Sequence, residues 1–321
     1  MPRTLRPDPG AVPPPDMSAE PLGFVVEADD GTRLHFLDWG RPAQTEGGVL
    51  LVPGFGHTAW SWTPVARRLR GVVHVVAMDL RGHGLSDAPV DGYEVRSLAE
   101  DALAVIEGSG LGAARPMVVA GHGFGADVAV VVAGALGERC AGVVLVDGGW
   151  ERIAEASGLT PDEMLRTLGE PPEVLASMRA FLADRRAFDP ASWDADQERA
   201  ARATVVELPS KRLVPAIHPH VRDAVVAAMF GHDPREALSH LQVPVLALAA
   251  ADDERGGHRR ALRDVADELD RGGPAIAVAE LDAGHDLMRY RPAEVAAAIL
   301  AAGLPEAPAR SSGSGGTIGG R

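Results

Sequence analysis

Apolar runs that stop abruptly at glycine, proline or aspartate recur along the chain, and stretches with apolar residues at helical spacing separate them. The runs VLLV, VVHVVAM, MVVA, CAGVVLV, VPVLALAA and AIAVAEL do not alternate with polar residues. Continuous apolar runs of that length fit strands buried on both faces. Between them, VRSLAEDALAVIEGSGL, ADVAVVVAGAL and HRRALRDVADEL carry the helical period. Strands alternating with helices predict a mostly parallel sheet with helices on both faces, an α/β fold. Near the start, FVVEADD and TRLHFLDWG flank an Asp-Gly pair, a hairpin signal that supplies an antiparallel edge.

From residue 151 to residue 241 the pattern changes. PDEMLRTL, PPEVLASMRAFLADRRAF, DADQERAARATVVEL and PHVRDAVVAAMF read as amphipathic helices between proline or glycine breaks, and no strand is predicted there. The chain therefore divides into a core over 22–150 and 242–304 and an all-helical insertion over 151–241. A leader over 1–21 and a tail over 305–321 are rich in proline or in glycine and serine, and both are expected to be disordered. Neither buries enough apolar surface to offset the entropy of ordering.

The other elements are organised around Val118–Ala126, VVAGHGFGA: a strand, a glycine-rich turn, then a helix. This is the form of the nucleophile elbow G-x-S-x-G, in which a serine stands at the apex of a strained strand-to-helix turn. Here the apex is Gly123, so the motif lacks its reactive atom. With the motifs that follow, the chain resembles the α/β-hydrolase fold family from about Leu22 to about Leu304. The resemblance implies a mostly parallel eight-stranded sheet and an inserted helical cap that roofs the active site. Cap residues such as Phe181, Phe188, Trp193 and Met229 are expected to form mainly the cap's own core and partly to line a pocket.

The resemblance also assigns site residues. Pro53-Gly54-Phe55-Gly56 follows the VLLV run, which implies oxyanion donors at the backbone N–H groups of Phe55 and Phe124. Pro53 stands where the family often has histidine. Asp79, Arg81, His83 and Ser86 lie in a D-x-R-G-x-G-x-S turn that is structural in the family, and no chemistry is assigned to them. The strand in VPVLALAAADDERGG ends at Asp253, in the position of the triad acid, with Asp252 beside it. Asp147, at the end of CAGVVLV, is a reserve acid, as is Asp252. Gly284-His285 followed by Arg291-Pro292 resembles the histidine loop, which makes His285 the base. The side chain of His122 is expected to point away from the pocket mouth.

Charge narrows the range of partners. Against 31 Lys and Arg stand 45 Asp and Glu, a formal charge of −14 that argues against nucleic acid and anionic membranes and favours a small neutral or cationic molecule. Neither an apolar run of membrane-spanning length nor a signal-peptide core is present, so a cytoplasmic location is expected. The lone cysteine, Cys140, excludes an internal disulfide and reads as a small buried hydrophobe. His218 and His220 flank Pro219 without a nearby carboxylate or cysteine, so no metal is expected, and no motif points to a cofactor.

Three functions remain open. One is an enzyme acting on a small, largely apolar molecule through His285 and Asp253 without a serine, by hydrolysis, C–C cleavage, elimination or cyclisation. Another is an inactive protein that binds a small ligand. The third is a serine hydrolase disarmed by glycine, a residue that also relieves the roughly 1–3 kcal/mol of backbone strain at an elbow apex.

Overall fold

The computed structural model describes residues 3–303 except 5, 44, 46, 252–256 and 270–272. Its strands are β1 (Arg3–Thr4), β2 (Leu22–Glu27), β3 (Arg33–Asp38), β4 (Gly48–Val52), β5 (His74–Met78), β6 (Met117–His122), β7 (Cys140–Val146), β8 (Val205–Glu207), β9 (Leu213–Pro215), β10 (Val245–Ala250) and β11 (Ile276–Leu281). Nine of them form one sheet in the order β1-β11-β10-β7-β6-β4-β5-β3-β2. The pairs β2–β3 and β3–β5 are antiparallel, and the other pairs of this sheet are parallel. The eight strands expected from the sequence are present, and the two residues of β1 add a ninth at the β11 edge.

Every residue of β4, β5 and β6 is buried, as continuous apolar runs require in a sheet covered on both sides. Alternate side chains separate into two cores. Val119 and Val143 pack with the helices Val95–Ser109 and Phe124–Leu136 on one face; Val118 and Val144 pack with Thr63–Leu69 and Pro292–Ala301 on the other. The Asp79 turn ties loops together. Its carboxylate accepts the N–H groups of Ala59 at 2.7 Å and Leu85 at 3.0 Å and meets Nδ1 of His35 at 2.8 Å, while Arg81 forms a two-bond pair with buried Asp101. Cys140 is buried, and burial pushes its thiol up to about 11.

Two expectations need correction. Residues 6–21 of the leader pack on the core, with Val12 and Ala19 buried. The cause is Arg67, a 4% exposed guanidinium that donates to the carbonyls of Asp16 and Ala19 and pairs with Asp196 at 2.8 and 3.0 Å. A buried guanidinium needs such acceptors, and backbone carbonyls provide them whatever the composition of the segment. The tail over 305–321 lies outside the described residues.

The second correction concerns the insertion between β7 and β10. Its helices are Ile153–Ser157, Pro161–Thr167, Met178–Phe188, Ala195–Arg202, Pro219–Gly231 and Pro234–Ser239. It also holds the antiparallel hairpin β8–β9. The TVVE segment, read as the end of a helix, leaves it after Arg202: β-branched Val205 and Val206 favour the pleated surface against Pro215 and Val214. Among the described residues, no helix is long and apolar enough to cross a membrane.

Candidate active site

The parallel strands β6, β7, β10 and β11 point their carboxyl ends to one edge of the sheet, where ligands bind in open α/β folds. At the end of β6 the chain turns sharply through Gly123, with φ 50° and ψ −122°. Its N–H bonds to the carbonyl of Val146 at 3.0 Å, which locks the apex against the end of β7. The helix Phe124–Leu136 begins at once, so the N–H of Phe124 is one of those a helix leaves unpaired. Gly125 permits this start to approach the loop after β4, since a Cβ there would lie 2.3 Å from the carbonyl oxygen of Pro53. Phe55 follows two residues later on the same loop and lines the larger cavity.

His285 faces the apex. A Cβ on Gly123 would stand 3.2 Å from His285 Nε2 and 3.5 Å from Cε1, so the imidazole is aimed at the place where a serine side chain would begin. On the ring's other side, Nδ1 meets Oδ2 of Asp147 at 2.6 Å. Asp147 is one of the two reserve acids of the sequence. His285 has one Nδ1 and Asp147 takes it; Asp253, placed first from the sequence, and Asp252 lie outside the described residues.

Asp147 is held from several directions. It follows β7 with φ 51°, a left-handed backbone that aspartate tolerates better than most residues. Its N–H bonds to Leu248 O at 2.8 Å, and its Oδ1 accepts the N–H of Ala250 at 2.7 Å, so β10 fixes the carboxylate. A second imidazole, His258, places Nε2 3.3 Å from Oδ1 and Nδ1 on Glu151, with its ring 4.4 Å from that of Trp150. Burial works against the charge on Asp147, but hydrogen bonds from His258 and His285 hold the carboxyl well below its ordinary range. Burial likewise opposes the cation on His258, yet Asp147 and Glu151 raise its pKa to about 9. His285 moves the same way: the packing around it disfavours the cation, and Asp147 more than offsets this.

These groups line a cavity of 420 Å³ between the elbow and the insertion, with Gly123, Phe124, His258, His285 and Met229 in its wall. A larger cavity of 960 Å³ runs under the insertion past Phe55, His57, Phe188, Trp193 and Asp286. All four apolar residues named from the sequence reach a cavity wall: Phe181, Phe188 and Trp193 line the larger one and Met229 the smaller, and of the four Phe181 is also buried.

His122, beside the apex, is fully buried and turned away from the smaller cavity; its Nε2 lies 3.1 Å from the carbonyl oxygen of His285, where as N–H it donates and supports the histidine loop. Its donor atom falls within 4.8 Å of those of His57 and Asp286, a grouping that could hold a metal ion. The residues fit an ion poorly. An ion on Nε2 would displace the bond to His285 and leave Nδ1 as a buried N–H, and that atom has no partner among the described residues. Among the described residues, His218 and His220 form no such grouping; His220 Nε2 lies 3.1 Å from Pro89 O.

Sequence reasoning did not single out His258, Asp127 or His232. His258 stands in the first turn of an ordinary amphipathic helix and carries no motif. Asp127 did leave a signal, a lone acid within the apolar helix sequence FGADVAVVVAGAL.

Residues 49–298 match the model of the Alpha/beta hydrolase family. Mouse epoxide hydrolase 4 is 32% identical over 113 residues, 34% of this chain and 31% of that protein. Mouse epoxide hydrolase 3 is 37% identical over 82 residues, 25% of this chain and 22% of that protein. The chain thus spans about a third or less of the curated relatives it matches. The crystal structure of E-2-(acetamidomethylene)succinate hydrolase superposes with a TM-score of 0.71 at 21% identity, covering 88% of this chain and 98% of that one. The enol-lactonase from Burkholderia xenovorans LB400 gives 0.63 at 19% identity, covering 87% and 99%. At such identities these structures speak to fold alone, and fold does not determine chemistry. The elbow, the strand order and the family match over residues 49–298 together place this chain in the alpha/beta hydrolase family.

Proposed function

We propose that this protein is an enzyme acting on a small, largely apolar, uncharged molecule, with His285 and Asp147 as a general base and no protein nucleophile. The observation that carries this reading is the aim of His285, with Nε2 3.2 Å from the Cβ position of Gly123 and Nδ1 on Asp147. A glycine apex leaves room there for the oxygen of a water or of the substrate. In a hydrolysis, His285 Nε2 takes the proton of water as the water oxygen attacks the substrate carbonyl. The N–H groups of Phe55 and Phe124 receive the developing oxyanion, and the imidazolium then returns its proton to the leaving group. General base catalysis contributes about 10²–10⁴-fold, and an oxyanion donor about 10²–10³. Water addition to an uncharged molecule also accords with the epoxide hydrolase names of the partial relatives. The insertion, roofing both cavities, selects what enters.

The base must be neutral to act, and His285 holds its proton above the ordinary imidazole value of 6.5. Asp147 and Asp286 face it and raise its pKa; His258 lowers it. Rate should therefore climb with pH along an acid limb whose midpoint lies above 6.5, and Asp147→Asn should move that midpoint down. A kcat/KM profile against pH checks this; a wild-type midpoint below 6.5 contradicts it.

A second reading, a serine hydrolase disarmed at its apex, draws on the positive φ that Gly123 retains, as an elbow nucleophile would need. The two differ in what Gly123→Ser does. A disarmed hydrolase gains orders of magnitude in ester turnover, with a burst of first product. The water mechanism predicts little or no steady-state gain, because the new side chain crowds the imidazole. In either case the strained apex costs about 1–3 kcal/mol of stability.

A further inference from the structure

The 420 Å³ cavity has a polar feature that the His285 chemistry does not use. Asp127, one helical turn beyond the apex, and His232, just after the helix Pro219–Gly231, both line it together with Gly123 and His285. Their side chains are 17% and 16% exposed. Asp127 Oδ1 and His232 Nε2 are buried and have no hydrogen-bond partner among the described residues; they stand 3.9 Å apart, too far to bond to each other. Leaving a buried polar atom unpaired costs about 1–3 kcal/mol, and here two such atoms face each other. Val128, Val130 and Val132, near Asp127 on the elbow helix, are apolar and buried, and Asp127 is the one acid in that helix. Unpaired buried groups that converge on a cavity wall point to a ligand.

We propose that Asp127 and His232 form a subsite for an uncharged oxygen function of the substrate, a hydroxyl or carbonyl, next to the group that reacts. One oxygen placed about 2.8 Å from each of two atoms 3.9 Å apart subtends an angle near 90° at that oxygen, within the range a hydroxyl or carbonyl accepts. Rotation of the Asp127 carboxyl about its last bond presents either of its oxygens. The carboxyl is suited to a neutral partner, since burial raises its pKa to about 8 and leaves it a hydrogen-bond donor at neutral pH. His232 is likewise kept neutral by burial. The substrate then extends from the reacting bond beneath Gly123 to a second oxygen at this pair, with Met229 against its apolar span.

The subsite deepens the proposed function and rests on the reading that this cavity takes the substrate, so its test is one of binding alone. Affinities of benzyl alcohol, toluene and benzylamine, three probes of one shape, are measured by ligand-observed NMR. The expected order is benzyl alcohol about tenfold tighter than toluene. Asp127→Leu should erase that preference, whereas Asp127→Asn, which keeps a donor and an acceptor, and His285→Ala should retain it. Asp127→Leu should also melt higher than wild type, where a structural role for the carboxyl requires it to melt lower. Equal affinity for alcohol and toluene in wild type overturns the proposal. So does a preference that survives Asp127→Leu, or tightest binding by benzylamine, which makes Asp127 a carboxylate counter-ion. Loss of turnover in His285→Ala has no bearing on these outcomes, so the subsite and the catalytic reading fail separately.

Discussion

Asp147→Ala is expected to destabilise the protein by about 3 kcal/mol, the lower end of the roughly 3–5 kcal/mol seen when one partner of a buried ion pair is removed. The lower end applies because His258 keeps Glu151 and the His285 side chain is 58% exposed. Two local losses add to the broken pairs: the N–H of Ala250 loses its acceptor, and alanine must adopt φ 51°. Asn at this position keeps the acceptor and tolerates the backbone, so Asp147→Asn should lose the ion pairs alone and be destabilised less than Asp147→Ala, while losing activity through the wrong His285 tautomer.

The pH dependence follows from the signs of the shifts. The depressed Asp147 contributes stability above its ordinary value of 3.8 and loses it as pH falls through the lower folded value. His258, raised from 6.5 to about 9, contributes fully below 6.5 and loses its share as pH rises through about 9. The stability gap between wild type and Asp147→Ala should therefore be widest between about pH 4 and 6.5 and narrow above it. Urea denaturation of both proteins at pH 6 and pH 9.5 checks this, and a gap unchanged between the two contradicts it.

His285→Ala should lower kcat by about 10²–10⁴-fold, the contribution of a positioned general base. KM should change little, because the imidazole acts on the attacking oxygen and apolar walls hold the substrate. Stability should fall less than in Asp147→Ala. The substitution removes one bond to Asp147 from a ring already in contact with solvent, and the carboxylate keeps His258 and the Ala250 N–H. A variant with unaltered kcat would remove His285 from the chemistry.

The sheet was legible because double-sided burial leaves an unmistakable mark: β4, β5 and β6 are buried throughout, apolar at all but the terminal histidines of β5 and β6, and end at proline, aspartate and glycine turns. The elbow and the histidine loop were legible for a related reason, since backbone geometry there demands particular residues in a fixed order. The acid was not. Several aspartates follow sheet strands, and which one meets His285 depends on how β7 and β10 line up, with Asp147 N–H bonded to Leu248 O, a relation no local pattern carries. His258 was hidden because its partners, Asp147 and Glu151, lie more than a hundred residues earlier. The leader's order depends on Arg67, whose side chain could as well have faced water. At β8 the local propensity of Val205 and Val206 outweighed the helical period of the preceding stretch, a competition that short segments leave close.

The central claim is that His285 and Asp147 drive turnover without a nucleophile at position 123. It is tested most directly by following hydrolysis of small aryl esters and thioesters by the unaltered chain past ten equivalents of product, with His285→Ala run alongside. The account predicts steady multiple turnover from the first equivalent, without a burst, and its loss by two or more orders of magnitude in the variant. Product at the buffer rate in both proteins, or equal turnover in both, would contradict it.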